Sequence, residues 1–275
     1  MRLAAFVVFA GCGFSIAAPG VTPIDAPDAP DVPDVLPVTW AVDTLSGKAT
    51  PQSTTEWGDL IAARGLAVAV PDGLWLMQEP SGPLVDSIGS VSLAPYGAPM
   101  YRAPVTGWSR QGVKTLDGSG AGFYDTTASS LPDVGTASMT VLMYYATETP
   151  PLFTRGVSIS GSGVPSSLAA LTIEPSSRLK LTVGSNSATG TIDHGTGVIP
   201  VVVKLDRSAS VQQVITNRET ITPTYTPLQS SRGIFLGTGA GPAPDGRWLY
   251  MAAWYGPNAE ISASDAAMLL TALGW

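Results

Sequence analysis

The stretch Leu74-Trp75-Leu76-Met77-Gln78-Glu79-Pro80-Ser81-Gly82-Pro83-Leu84-Val85-Asp86-Ser87-Ile88-Gly89-Ser90-Val91-Ser92-Leu93 decides the fold. Leu74 to Gln78 is a short apolar run led by Trp75, and Pro80, Ser81 and Gly82 form a turn cluster that no helix or central strand carries. Beyond the turn, Val91 and Leu93 alternate with Ser90 and Ser92, the pattern of a strand with one face buried. The stretch predicts a strand, a turn and a second strand.

Downstream, the same signals recur at short spacing. Strands are predicted at Val113 to Asp117, Phe123 to Asp125, Leu168 to Ile173, Arg178 to Val183, Val201 to Leu205, Val211 to Ile215, Ile234 to Leu236 and Trp248 to Tyr255. Met139 to Tyr145 is apolar on both faces, Met139, Val141, Met143 and Tyr145 against Leu142 and Tyr144, so it reads as a central strand covered on two sides. Upstream, Thr39 to Asp43 reads as an edge strand. Glu56 to Arg64 reads as a short helix capped by Thr54 or Thr55 and ended by Gly65, with Leu66 to Val70 leading into the Pro71-Asp72-Gly73 turn. At the far end, Ser262 and Asp265 form a capping pair before the apolar face Ala266, Leu269, Leu270 and Leu273, and Gly274 ends that helix. Many strands joined by turns and flanked by two small helices make a sandwich.

Three blocks carry a family resemblance. An aromatic-led strand followed by Glu79-x-x-Gly82 and Asp86-x-x-Gly89 resembles the opening strand of laminin-G-like, concanavalin A-like jelly-roll domains. The order from Asp117-Gly118 through Leu131 and Gly135-Thr136 to Met139–Tyr145 resembles the second block of that pattern. Trp248 to Tyr255 followed by the helix beginning Ser262-x-x-Asp265 resembles the C-terminal block. The resemblance implies an all-β, two-sheet antiparallel jelly-roll sandwich with short peripheral helices, one of them at the C-terminus. It fixes architecture rather than activity, since lectins, glycosidases and adhesion modules share the scaffold.

Composition narrows the rest. Charged residues make up only 13% of the chain while Gly and Pro number 30 and 24, which excludes a helical bundle. A net charge of −7 leaves no basic stripe for phosphates, so nucleic acid is not an expected partner. The single cysteine, Cys12, permits no intrachain disulfide, and the core alone must hold the fold.

That cysteine sits at an informative place. Arg2 and the apolar run that follows form a signal-peptide h-region, too short to span a bilayer of about 30 Å. Phe9-Ala10-Gly11-Cys12 resembles a bacterial lipobox, with Phe9 where leucine is usual, and the resemblance implies lipidation at Cys12. Cleavage after Ser15-Ile16-Ala17 and plain secretion is the alternative. From Asp25 to Val35 an Asp-x-Pro triplet repeats, with Pro27, Pro30 and Pro33 favouring polyproline II geometry and Asp25, Asp28, Asp31 and Asp34 repelling one another. Twenty such residues reach about 60 Å at about 3.1 Å each.

Chemical motifs are sparse. Glycosidases of this scaffold use two carboxylates on one strand, but the residues two places after Glu56, Glu79, Glu148, Glu174, Glu219 and Glu260 are Gly, Ser, Pro, Ser, Ile and Ser. The lone His194 has no nucleophile elbow to serve and reads as a polar loop histidine. Gly237-Thr238-Gly239-Ala240-Gly241 precedes Pro242 rather than a helix, so it is no phosphate loop. Laminin-G-like domains often hold one calcium ion at the rim, and Asp86, Asp117, Asp125 and Asp133 lie in turns suited to such a site, though no metal ligand set is assigned. Tyr101, Arg102 and Trp108, close together in a Gly- and Pro-rich segment read as a loop, are the candidate ligand-binding residues. Either they stack a sugar ring or Trp108 seals the sandwich edge.

The expected organisation is a signal peptide over 1–17 with its lipobox ending at Cys12, an acidic Pro-rich tether over 18–38, an extension with a short helix over 39–73 and a laminin-G-like jelly roll over 74–275. The expected function is a non-catalytic binding or adhesion module on an envelope lipoprotein of the outer membrane. Its partners would be the membrane, through the lipid, and an extracellular glycan or protein, with no catalytic residues and no cofactor beyond the one calcium. A diverged polysaccharide hydrolase and a purely structural envelope component are the alternatives. Because a solvated polyproline tract buries nothing, deleting Asp25 to Val35 is expected to leave the melting temperature unchanged, and a fall of several degrees in a thermal melt would show that the tract packs on the domain.

Overall fold

The computed structural model describes residues 40–115, 122–125, 131, 133–147, 154–160, 167–174, 176–228, 234–237 and 246–275. All lie in one compact unit, Thr39–Trp275; the signal peptide, Cys12 and the Asp-x-Pro tract lie outside the described residues. Among the described residues, two antiparallel sheets of eight strands each face one another. The first runs β14 (Thr220–Ile221), β13 (Val211–Ile215), β12 (Gly197–Asp206), β7 (Met139–Thr147), β16 (Gly246–Tyr255), β5 (Gln111–Thr115) and β4 (Met100–Pro104), with β1 (Gly73–Trp75) also paired to β16. The second runs β11 (Asn186–Thr189), β10 (Leu179–Val183), β9 (Ser167–Ile173), β8 (Thr154–Ser160), β15 (Ile234–Gly237), β6 (Gly122–Asp125), β3 (Ser92–Tyr96) and β2 (Leu84–Val85). Crossovers at β12–β7, β7–β16, β16–β5, β8–β15, β15–β6 and β6–β3, between runs of sequential hairpins, make this a jelly-roll-like sandwich.

Two cores result, one on each side of the first sheet. Between the sheets, Val141, Met143 and Tyr145 of β7 meet Trp248, Met251 and Ala253 of β16 together with Trp75, Leu93, Phe123, Leu171 and Leu181. On the outer side, Leu142, Tyr144 and Ala146 join Leu249, Tyr250, Ala252 and Trp254 under a third layer. The alternation along β16 is broken by a bulge between Trp248 and Tyr250, which places Leu249 and Tyr250 consecutively in the outer cluster. Helix α1 (Thr54–Arg64) contributes Trp57 and Leu60 to that layer, and helix α2 (Ala263–Ala272) contributes Ala266, Leu269 and Leu270.

Local chemistry sets the helix ends. Ser53, not Thr54 or Thr55, caps α1: its hydroxyl accepts from the Glu56 N–H, and Gly65 closes the helix in the left-handed region at φ 58°. Ser262 caps α2 by accepting from the Asp265 N–H at 3.0 Å. Elsewhere the sequence expectations shift. The segment at 101–104, read as a loop, belongs to the edge strand β4. Of the edge strand expected from Thr39 to Asp43, the described residues 40–43 show one bridge, between Val42 and Ala49.

Tyr144, Tyr250 and Trp254 of the outer aromatic layer bond to the extension that precedes β1. Tyr250 donates to the Pro51 carbonyl at 2.7 Å and accepts from Trp57 Nε1 at 3.0 Å; Tyr144 donates to Ala49 O at 2.8 Å, and Trp254 Nε1 to Ala69 O at 2.8 Å. The rings of Trp57 and Trp254 meet edge to face at 5.7 Å, and Tyr144 stacks on Tyr250 at 5.2 Å. Burial raises the phenol pKa of both tyrosines, so they remain neutral donors. Replacing Tyr250 by Phe leaves the Trp57 N–H and the Pro51 carbonyl without their shared partner. The expected cost is about 1 to 3 kcal/mol in denaturant unfolding, and an unchanged midpoint would show that the extension is not held by this bond.

Candidate functional site

The signature carboxylates are turn clamps. Asp86 is 7% exposed, and its Oδ1 accepts from the N–H groups of Leu74, Ile88 and Gly89 at 2.8, 3.1 and 2.9 Å, fastening β1 to the turn after β2. A Cβ at Gly89 would lie 2.3 Å from Asp86 Oδ2, so only glycine fits there. Glu79 Oε1 accepts from the Val85 N–H at 2.8 Å, and the carbonyl of Gly82, at φ 79°, accepts from the Tyr101 hydroxyl. Glu-x-x-Gly and Asp-x-x-Gly thus close two successive turns.

A stronger clamp holds the extension to the β4–β5 connection. Asp43, 1% exposed, accepts from Ser109 Oγ at 2.6 Å, from the N–H groups of Ser109 and Arg110 at 3.0 and 2.9 Å, and from Ser46 N at 2.9 Å. Burial alone would raise its pKa, but the Ser109 hydroxyl and the N–H groups of Ser46, Ser109 and Arg110 outweigh it and hold the carboxyl well below the usual carboxylate range. Arg110 in turn lies 5.9 Å from the centre of the Tyr250 ring and donates to Leu76 O. This clamp is not legible in the sequence, since a lone Asp and a Ser-Arg pair far apart in the chain carry no spacing signal.

His194 is no free loop residue. Its Nε2 lies 3.0 Å from Glu219 Oε1 with side-chain exposures of 2% and 9%, and Glu219 Oε2 also accepts from the N–H of Thr191. Lys204 and Asp206 form a second buried pair at 3.0 Å, and Asp206 further accepts from Ala209 N and Ser208 Oγ. Burial alone would raise the Asp206 pKa, but these bonds and the Lys204 charge lower it on balance.

Of the four calcium candidates, Asp86 and Asp133 have described side chains. Asp86 is engaged as above, Asp133 Oδ1 accepts from Gly135 N, and Asp117 and the Asp125 side chain lie outside the described residues. Among the described residues no group of three or more His, Cys, Asp or Glu side chains is arranged to hold a metal. The cavity lined by Val134, Leu205, Asp206, Gln212, Tyr225 and Leu228 has about 10 Å³ of free volume, room for one water rather than a sugar.

Tyr101, Arg102 and Trp108 do not share a surface. Tyr101 packs edge to face on Phe123 at 5.7 Å beside the inter-sheet core. Arg102 is exposed at a register shift of β4 with φ 51°. Trp108, 8% exposed, belongs to the outer layer, stacked on Trp275 at 5.8 Å and tilted on Tyr144 at 5.6 Å. Tyr101 and Trp108 therefore sit on opposite sides of the first sheet.

With the first sheet sealed on both sides, the exposed aromatic side chains among the described residues lie on the outer side of β3 and β6, while on β9 the outward Ala170 and Thr172 are themselves buried. Leu93 and Phe123 point into the core, so Ala94, Tyr96 and Tyr124 point out, and Val85, paired with Ser92, shares their side. Tyr96 and Tyr124 are 55% and 39% exposed, and their rings meet at 6.3 Å and 77°. Period-two counting from Leu93 and Phe123 finds both tyrosines once β3 and β6 are placed.

The class defined by these features is a jelly-roll-like antiparallel β-sandwich with a helical layer sealing the outer face of its first sheet. No protein-family model and no curated protein matches the chain. Among solved structures it is similar to Trypanosoma rangeli sialidase in complex with the inhibitor DANA, at 12% identity and a TM-score of 0.57 over 74% of this chain and 33% of that one. It is also similar to a structure describing cell entry of botulinum neurotoxin type C through interaction with two ganglioside molecules, at 12% identity and TM-score 0.53 over 74% and 51% of the two chains. The binding domain of botulinum neurotoxin DC in complex with rat synaptotagmin II follows at 9% and 0.52, over 74% and 52%. The chain spans between a third and about half of these structures, and the likeness is one of fold.

Two outcomes are expected. Trp108→Ala should lower stability by about 3 to 5 kcal/mol, as other large buried truncations do; a variant that melts like the wild type would show that the ring is not part of the seal. Asp43 has a depressed folded pKa, so its contribution is present above the unfolded value of about 3.9 and is lost as the pH falls through it towards the folded one. Asp43→Asn should therefore cost about 2 to 3 kcal/mol in urea unfolding at pH 7 and show less further loss on acidification than the wild type. Equal acid sensitivity in the two proteins would assign the acid limb to other carboxylates.

Proposed function

We propose that this chain is a bacterial envelope lipoprotein, anchored through Cys12 and held off the lipid surface by its Asp-x-Pro tract, that displays a laminin-G-like, non-catalytic carbohydrate-binding module. The observation that carries the non-catalytic reading is the use made of carboxylates. Asp43, Asp72, Asp86, Asp206, Glu56, Glu79 and Glu219 each accept hydrogen bonds from backbone N–H groups and so act as structural acceptors rather than as an acid and nucleophile facing a groove. Support for a recognition role comes from the sandwich itself and from its likeness to a toxin described by its interaction with gangliosides. The lipobox resemblance at Phe9-Ala10-Gly11-Cys12 supports the anchor. Bacterial lipoproteins carry several acyl chains, and stable anchoring needs more than one.

The test uses the full chain, solubilised in detergent, on an immobilised panel of glycans and polysaccharides. Retention on at least one glycan without release of reducing ends is the expected result. Retention by none removes the carbohydrate reading, and release of reducing ends by the purified protein removes the non-catalytic one. In a Gram-negative host the wild type should partition into detergent and Cys12→Ser should not; equal partitioning of the two would overturn the anchor.

A further inference from the structure

Among the described residues the two sheets end in four edge strands, β14 and β4 in the first and β11 and β2 in the second. An open edge offers a row of unpaired N–H and C=O groups to any extended chain, and proteins blunt such edges by shortness, bulges, prolines or charges. Three of these four are blunted. β14 and β2 are two residues long, and the Val85 N–H of β2 is taken by Glu79 Oε1 at 2.8 Å. β4 has a register shift between Met100 and Ala103, an exposed Arg102 and Pro104 at its end.

β11 has none of these devices. Asn186-Ser187-Ala188-Thr189 holds no proline and no charged side chain, and it pairs with β10 without a shift of register. The Gly190 N–H donates to Leu179 O at 2.8 Å. Hydrogen-bonded pairs alternate along an antiparallel ladder, so Leu181 with Ala188 and Val183 with Asn186 are bonded pairs too. The backbone groups of Ser187 and Thr189 therefore turn away from β10, and both residues are exposed. The hairpin that carries them is braced: Asn186 Nδ2 donates to Thr226 Oγ1 at 2.8 Å, and the Thr226 N–H donates to Gln212 Oε1 of β13 at 3.0 Å.

These outward groups complement themselves. When two copies meet about a two-fold axis at Ala188, Ser187 of each faces Thr189 of the other, and their N–H and C=O groups bond reciprocally. Ala188, a small side chain packed on the inter-sheet core, then faces its own mate at a Cα separation of about 4.5 Å. Charge does not oppose the contact. Lys180, opposite Thr189 on β10, is paired with Glu174 at 3.3 Å, and three strand spacings put it about 14 Å or more from its mate, beyond a Debye length.

We infer that β11 is the interface through which two copies of this chain join, antiparallel and edge to edge, into one continuous sheet. The contact requires neither the lipid anchor nor a glycan.

The experiment uses the full chain carrying Cys12→Ser, which leaves no other thiol. In this background Ala188→Cys should give a covalent dimer under mild oxidation, because the Cα separation across the axis falls within the disulfide range. Ser187→Cys alone should not, since it is displaced from its mate along the strand, whereas a mixture of Ser187→Cys with Thr189→Cys should. Leu45→Cys, at a side chain 69% exposed outside both sheets, is the collision control and should stay monomeric. In sedimentation over a range of concentrations the parent should self-associate. Ser187→Pro and Thr189→Pro each remove an outward N–H that β10 does not use, and should raise the dissociation constant about tenfold or more at unchanged melting temperature. If a proline change lowers the melting temperature, the cysteine pattern alone decides. A parent that is monomeric at every concentration, or association that survives both proline changes, overturns the interface. Cross-linking of Ala188→Cys no faster than that of Leu45→Cys overturns it as well.

Discussion

The pairing of β7 with β16 is the constraint on which the rest depends. Both strands are buried on both faces, so every side chain along them needs an apolar partner, on one side from the second sheet and on the other from something outside the sandwich. The chain meets the second demand with α1, α2 and the extension that runs between residues 40 and 73. Although α1 and the extension come before the first strand and α2 after the last, all three cover the same surface. The bulge at Trp248 and Tyr250 shows how tightly the demand acts. It sacrifices one step of the ladder to put Tyr250 where its hydroxyl can reach Pro51 and Trp57.

Charge is used with similar economy. Carboxylates that a surface reading would leave in solvent are drawn into connections, where each gathers several N–H donors that no strand or helix can satisfy. Asp43 ties the extension to the β4–β5 connection, Asp86 ties β1 to the turn after β2, and Glu219 ties the β13–β14 turn to the segment carrying His194. With no disulfide to hold these crossings, ionised oxygen bonded to backbone takes that role. The consequence reaches function, because a carboxylate whose lone pairs are committed to backbone is poorly placed to move a proton for a substrate.

How much of this is legible in the sequence follows from how local each signal is. The two-faced run Met139 to Tyr145 declares a central strand, and Ser262 with Asp265 declares the start of α2, because periodicity and capping are written within a few residues. The strands β2 and β14 are two residues long and carry no period. Asn186 to Thr189 follows so closely on Gly184-Ser185 that it reads as more of the same polar turn, yet β11 begins immediately after that pair. At 101–104 the bulge in β4, with Arg102 at positive φ, scrambles the alternation that would mark a strand. The candidate site is less legible still. Proximity in sequence groups Tyr101 with Trp108, whereas the sheet between them sends one to each side, and the exposed Tyr96 and Tyr124 are neighbours only through strand pairing.

The asymmetry of the two outer faces follows from the first constraint. A sandwich whose central strands are apolar on both sides must commit its helices to one sheet, and the aromatic layer of Trp57, Trp108, Tyr144, Tyr250, Trp254 and Trp275 fills that side. In the second sheet β10 alternates instead: it buries Leu179, Leu181 and Val183 and turns Lys180 and Thr182 outward, whereas on β9 the outward Ala170 and Thr172 are buried as well. On such a face an exposed aromatic pair is not needed by the core, since Phe123 and Leu93 already fill the inner positions beside it. Burial therefore accounts for the tryptophans of the first sheet, whereas Tyr96 and Tyr124, among the described residues, pack on each other and stay exposed on the outer side of β3 and β6.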